Sequence, residues 1–80
     1  MKTERVTVIR TFTARDAANV VECSNRFTSE IFFCQPSKAI NAKSLMGTIS
    51  LGLKKGDELV VQAKGADEDA AVAEVSAYFK

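Results

Sequence analysis

Two hydroxyls in this chain sit at the start of expected helices, where a side chain could cap the helix or act as a nucleophile. Ser44 stands in the stretch "NAKSLMGTISL", residues 41–51, and is followed by Leu45, Met46, Ile49 and Leu51. A short helix has no room to bury all of those apolar side chains. Some of them must face water directly behind the serine. Thr13 precedes Ala14, Arg15 and Asp16. To act as a nucleophile a threonine needs an adjacent base. The chain contains no histidine, and no lysine is well placed, so a helix cap paired with Asp16 accounts for Thr13 better than catalysis does. The thiols offer less. Cys23 and Cys34 stand alone without CxxC spacing, which with the absence of histidine excludes the usual zinc and haem arrangements. No disulfide between them is expected, and no metal or cofactor is implied.

From residue type alone several of these positions have two readings. Ser44 is an N-cap, the commonest role of a serine before a short helix, or a hydroxyl open to modification. Lys43 is a surface cation or a group that positions a phosphate or a carboxylate. Arg15 is a solvated residue of a first helical turn or an anion-binding guanidinium. Ile49 roofs the core or belongs to an exposed patch, whereas Leu51 and Leu53 are expected in the core.

The elements that must position these residues follow from periodicity. Residues 4–10, "ERVTVIR", alternate with Val6 and Val8 on one side, which predicts a strand. Ala17, Val20, Val21, Ser24 and Phe27 fall at helical spacing, so a helix is expected over about 14–26, with Thr13 and Asp16 at its start. "SEIFFCQ" reads as a second strand, with Ile31 and Phe33 on one face and Phe32 and Cys34 on the other. A proline turn at Gln35–Lys38 returns "KAIN" as a third strand. Residues 44–51 form a short helix, "ELVVQAK" a fourth strand, and Asp67 caps a last helix whose Ala71, Val72, Val75, Tyr78 and Phe79 make one stripe. The order is βαββαβα, an α+β open-faced β-sandwich with three helices on one face of a four-stranded antiparallel sheet.

Composition bounds the rest. Eighty residues, 46% apolar and 26% charged, with a formal charge of +1, describe one domain spanning 1–80. Apolar runs fall far short of the roughly 20 residues needed to cross a bilayer, and "MKTERVT" lacks the apolar stretch of a signal peptide. A cytoplasmic protein is expected, without membrane contact. Basic residues prevail over 5–55 and "ADEDAAVAE" is acidic, but no basic run exceeds Lys54-Lys55, so direct nucleic-acid binding has no support.

The stretches "NRFTSEIFF", "INAKSLMGTISLGL" and "GDELVVQAKGADEDAAVAEV" resemble the HPr family of bacterial phosphocarrier proteins, and the first two are still more similar to its regulatory paralogue Crh. The likeness runs from about residue 4 to 79, and the serine motif "NAKSLMG" is its most specific part. In the family a second signature, G-[IL]-H-A-R-P-A, carries phosphate on its histidine. The aligned residues here are Thr11 to Ala17, with Thr13 in place of that histidine and Asp16 in place of the proline. An imidazole gives a phosphoramidate that can be passed on, whereas a hydroxyl gives a stable ester. Histidine phosphorelay is therefore expected to be absent, and the Asp16 carboxylate is expected to repel an incoming phosphoryl group.

The resemblance implies a non-catalytic regulatory phosphoprotein of carbon catabolite repression. Ser44 would be phosphorylated by HPr kinase/phosphorylase, and the product bound by a LacI-type repressor, catabolite control protein A. It assigns Leu45, Met46 and Ile49 to the apolar docking patch, Arg15 to the repressor contact and Lys43 to a supporting role. Two rivals stand beside it: a residual phosphocarrier accepting phosphate from enzyme I of the phosphotransferase system, and a degenerate binding domain for a metabolic enzyme that is never phosphorylated. Phe32 and Cys34, on the uncovered sheet face, are compatible with a weak homodimer.

Overall fold

Side-chain alternation decides which face of the sheet the helices cover. The computed structural model describes all 80 residues, in the order β1 (Lys2–Thr7), α1 (Ala14–Asn25), β2 (Glu30–Gln35), β3 (Lys38–Asn41), α2 (Leu45–Ser50), β4 (Glu58–Lys64), α3 (Glu68–Ser76) and a closing 3₁₀ turn, Ala77–Phe79. The strands lie in the order β1-β4-β2-β3, every neighbouring pair antiparallel. Val6 pairs with Leu59, Phe33 with Val61 and Ile31 with Ala63. All six are buried, on the helix-covered face. The alternate set on β2 and β4, Phe32, Cys34 and Val60, is only half-buried on the other face.

The sequence-expected architecture is the one found, with three local differences. The first strand spans Lys2–Thr7 rather than 4–10. Val8 is nonetheless buried and stays tied to the neighbouring loop, donating to the Asp57 carbonyl at 2.8 Å and accepting from the Gly56 amide at 2.8 Å. Gly56 makes that loop possible, with φ at +93°, a conformation that side chains disfavour.

Tyr78 does not share the buried stripe of the last helix. The α-helix stops at Ser76 and the chain tightens to a 3₁₀ turn, whose three residues per turn re-aim the side chains. Phe79 goes inward and Tyr78 outward, 36% exposed. Phe79 then stacks on Phe12 with ring centres 4.9 Å apart and meets Phe33 edge-on at 5.4 Å. Such pairs contribute about 0.5–1.5 kcal/mol beyond the area they bury.

Asp67 stands at the N-cap of α3 without a side-chain capping bond. Its carboxylate instead reaches across the molecule, accepting from the Thr28 and Ser29 amides at 2.9 Å each and from the Ser29 hydroxyl. These bonds, led by the Ser29 hydroxyl and then the Thr28 amide, hold the Asp67 carboxyl at about 2, well below its ordinary 3.8. They also pin the segment that leads into β2.

Seventeen buried apolar residues form one core, drawn from every element except β3 and α2, with Ala42, Leu51 and Leu53 supplied by the loops around α2. Leu51 and Leu53 roof the core, as expected from the sequence. Cys23 is buried and Cys34 half-buried, and both are free thiols.

Candidate functional site

Helices α1 and α2 each begin with a hydroxyl residue at the N-cap. α1 starts after Thr13 and α2 after Ser44, both caps in extended backbone. The start of α1 and the C-terminal part of α2 flank a small hollow of about 50 Å³, with Thr13 and Ala17 on one side and Thr48 and Ile49 on the other. Phe12 fixes the approach to α1 by donating its amide to the Leu53 carbonyl at 2.9 Å. The fold thus brings Ile49 of one stretch beside Thr13 of the other, while Lys43, next to Ser44, meets the opposite end of α1, where Asn25 donates to the Lys43 carbonyl at 3.4 Å.

At Thr13 the hydroxyl is fully engaged within the chain. Its Oγ1 accepts from the Asp16 amide at 3.1 Å and donates to Asp16 Oδ2 at 3.1 Å, and the same carboxylate oxygen accepts from the Thr13 amide at 3.0 Å. This is a complete capping box. Asp16 Oδ1 receives Arg10 Nη2 at 2.9 Å, and the Arg10 guanidinium also lies over the Phe12 ring at 6.0 Å. The Arg10 hydrogen bond, followed by that of the Thr13 amide, holds the Asp16 carboxyl at about 2. The carboxylate was expected to act by repulsion. Arg10 pairs with that charge, and the Thr13 amide, the Thr13 hydroxyl and the Asp16 amide are all taken up within the box.

At Ser44 the local chemistry is different because the third residue of the helix is Gly47. Ser44 Oγ accepts from the Gly47 amide at 3.1 Å and donates to no group of the chain. A glycine has no carboxylate to close the box. It also cannot be replaced freely, since a Cβ there would lie 2.8 Å from Ile40 Cγ2 and 3.2 Å from Ser44 Oγ. Thr48 returns its hydroxyl to the Ser44 carbonyl at 2.8 Å, completing the first turn. The serine itself is exposed.

Directly behind it, Leu45 is 43%, Met46 78% and Ile49 44% exposed, so the structure places Ile49 in the patch rather than in the core. Leu45 and Ile49 lie four residues apart and so share a face of α2, with Met46 beside them in sequence. Arg15 is exposed in the first turn of α1 and takes part in none of the three ion pairs, which join Met1 to Glu68, Arg10 to Asp16 and Lys80 to Glu4. Lys43 is half-buried, its ammonium donating to the Phe27 carbonyl at 2.7 Å. Arg10 and Asn25 carry no sequence signal for their roles, since their partners lie six and eighteen residues away. No group of three or more His, Cys, Asp or Glu side chains is placed to hold a metal, and no helix is long and apolar enough to cross a membrane.

Comparison with known proteins agrees with this geometry. The family described as "PTS HPr component phosphorylation site" matches residues 2–80. The HPr-like protein Crh of Bacillus subtilis strain 168 is 45% identical over 65 residues, covering 81% of this chain and 76% of that protein. The phosphocarrier protein HPr of Bacillus anthracis strain Ames superposes with a TM-score of 0.92 at 34% identity, over 99% of this chain and 96% of the other. A crystal structure of Bacillus subtilis Crh, described as a dimer with a swapped domain, gives a TM-score of 0.79 at 40% identity, covering 99% and 90% of the two chains.

Proposed function

The chain belongs to the HPr family, whose members are regulatory or phosphocarrier proteins and not catalysts in themselves, and from that premise we propose that it is a Crh-like regulatory phosphoprotein of carbon catabolite repression. In this reading HPr kinase/phosphorylase phosphorylates Ser44 in the cytoplasm, and a LacI-type repressor, catabolite control protein A, binds the product. The observation that carries it is an exposed serine hydroxyl whose proton has no acceptor within the chain, adjoining exposed Leu45, Met46 and Ile49.

The transfer is chemically simple. Ser44 Oγ attacks the γ-phosphorus of ATP, the new O–P bond forms as the β–γ bridging bond breaks, ADP leaves, and the hydroxyl proton passes to a base supplied by the kinase. The product adds a charge of roughly −1.5 to −2 at a helix N-terminus, where backbone N–H groups and the helix dipole favour an anion. The helix is retained and its surface acquires a charge. Leu45, Met46 and Ile49 give the partners apolar contact area, and the thioether of Met46 adapts to surfaces of different shape. Arg15, free of intrachain ion pairs, is suited to a carboxylate of the repressor.

Thr13 supports the same reading by what it lacks. Its hydroxyl is spent on Asp16, and an ester there would not pass phosphate onward. The dimers described for Crh support a weak homodimer of this chain as well. The test is repressor binding before and after phosphorylation, by isothermal titration. The phosphorylated chain is expected to bind at least about tenfold more tightly, with the gain absent in Ser44→Ala and reduced in Met46→Asp. Equal affinity for modified and unmodified chain would overturn the proposal.

A further inference from the structure

Lys43 has each of its polar groups bonded to a different element. Its amide donates to Asn41 Oδ1 at 2.9 Å, at the end of β3. Its carbonyl accepts from Asn25 Nδ2 at 3.4 Å, at the last residue of α1. Its ammonium donates to the Phe27 carbonyl at 2.7 Å, in the loop leading to β2. Asn25 is held in turn, its amide also donating to the Val21 carbonyl at 2.9 Å. Ser44 itself is joined to these tethers only through its backbone, its amide donating to the Asn41 carbonyl at 3.0 Å.

We infer that Lys43 is the positioning residue of Ser44: its three tethers fix where α2 begins and so where the serine hydroxyl is presented, and its ammonium is not a contact for nucleotide or repressor. The inference rests on Ser44 being the modified residue. α2 is only six residues long, too short to be stable through its own hydrogen bonds. Its first turn must therefore be located by what precedes it. A bond of 2.7 Å from a half-buried ammonium to a carbonyl is a strong anchor, and such charge-assisted bonds are about twice as strong as neutral ones. A displaced hydroxyl lowers the rate of an in-line transfer steeply, because the reacting atoms must be aligned.

A contact residue and a positioning residue separate in kinetics. Loss of a contact to the kinase raises KM, whereas loss of alignment lowers kcat. With HPr kinase/phosphorylase and ATP, Lys43→Met is expected to lower kcat for Ser44 phosphorylation about tenfold, with KM within about twofold of wild type. Asn25→Ala, which removes a tether and leaves the lysine in place, is expected to lower kcat about threefold. Lys43→Arg, which retains a cationic donor, is expected to recover at least about half of the wild-type kcat.

A second measurement needs no kinase. Hydrogen exchange of the Gly47 amide, which Ser44 Oγ caps, is expected to quicken about fivefold or more in both Lys43→Met and Asn25→Ala, while the β4 amide of Val61, a reporter of global opening, changes far less. A KM effect in Lys43→Met with no effect of Asn25→Ala, or unaltered Gly47 exchange in both variants, would overturn the inference. If wild type is not phosphorylated on Ser44, the regulatory proposal fails, and the exchange measurement still decides whether Lys43 positions the serine.

Discussion

The entrances to α1 and α2 are built alike and chemically opposite. Each has a hydroxyl residue in extended backbone accepting the amide three residues on, at 3.1 Å in both. The difference lies in that third residue. Asp16 returns its carboxylate to Thr13 and draws in Arg10, so the hydroxyl is donor and acceptor at once and nothing is left over. Gly47 returns nothing, so the Ser44 proton stays available, and the space a side chain would fill is taken by Ile40. The same capping motif therefore produces a structural lock at one helix and a chemically open hydroxyl at the other. One atom group at the third position decides which.

The largest contrast is between transfer and none. Incubated with enzyme I and phosphoenolpyruvate, the chain is expected to take up no acid-labile phosphate while an HPr control is labelled fully; label on this chain would break the distinction between the two caps. Filling the space at Gly47 should be felt next. Gly47→Ala gains up to about 1 kcal/mol of helix propensity but forces a Cβ to within 2.8 Å of Ile40, overpacking that costs about 1–3 kcal/mol. A net loss of stability in urea denaturation is expected, and a net gain would mean that the α2–β3 packing does not require glycine.

Removing the hydroxyl from the closed entrance is a milder change. Thr13→Ala should lower stability by about 1 kcal/mol through the lost cap, with Ser44 phosphorylation unaltered; a parallel loss of phosphorylation would show that the two entrances are coupled. The smallest effect is confined to acid. Asp16 and Asp67 are each held at about 2 against an ordinary 3.8. Depressed carboxylates contribute stability above the unfolded value and lose it as pH falls through the folded one. The urea midpoint is therefore expected to drop between about pH 4 and pH 2, and Asp67→Asn should flatten that limb while lowering stability at neutral pH.

What the sequence made legible was whatever is encoded over a turn or a strand. Thr13 with Asp16 and Ser44 before its helix read as caps because the partners are three residues apart, and Ile31, Phe33, Leu59 and Val61 read as one face because strands alternate. Asp67 was the instructive miss. It has the type and place of a cap, yet a stronger set of donors lies 38 and 39 residues away, where no local pattern points. Tyr78 failed for a related reason, since a helical stripe assumes 3.6 residues per turn and the last residues adopt three. That some of the apolar side chains behind Ser44 would face water followed from there being more of them than a six-residue helix can bury, but that Ile49 is one of them did not. The tethers of Lys43 did not follow, because they run to β3, α1 and the loop before β2.

The difference between the two hydroxyls is tested most directly by locating the phosphate. After incubation of the wild-type chain with HPr kinase/phosphorylase and ATP, fragmentation mass spectrometry is expected to find one acid-stable phosphate, on Ser44, with none in a Ser44→Ala control. Phosphate on Thr13, or a wild-type chain left unmodified under conditions that modify HPr fully, would contradict it.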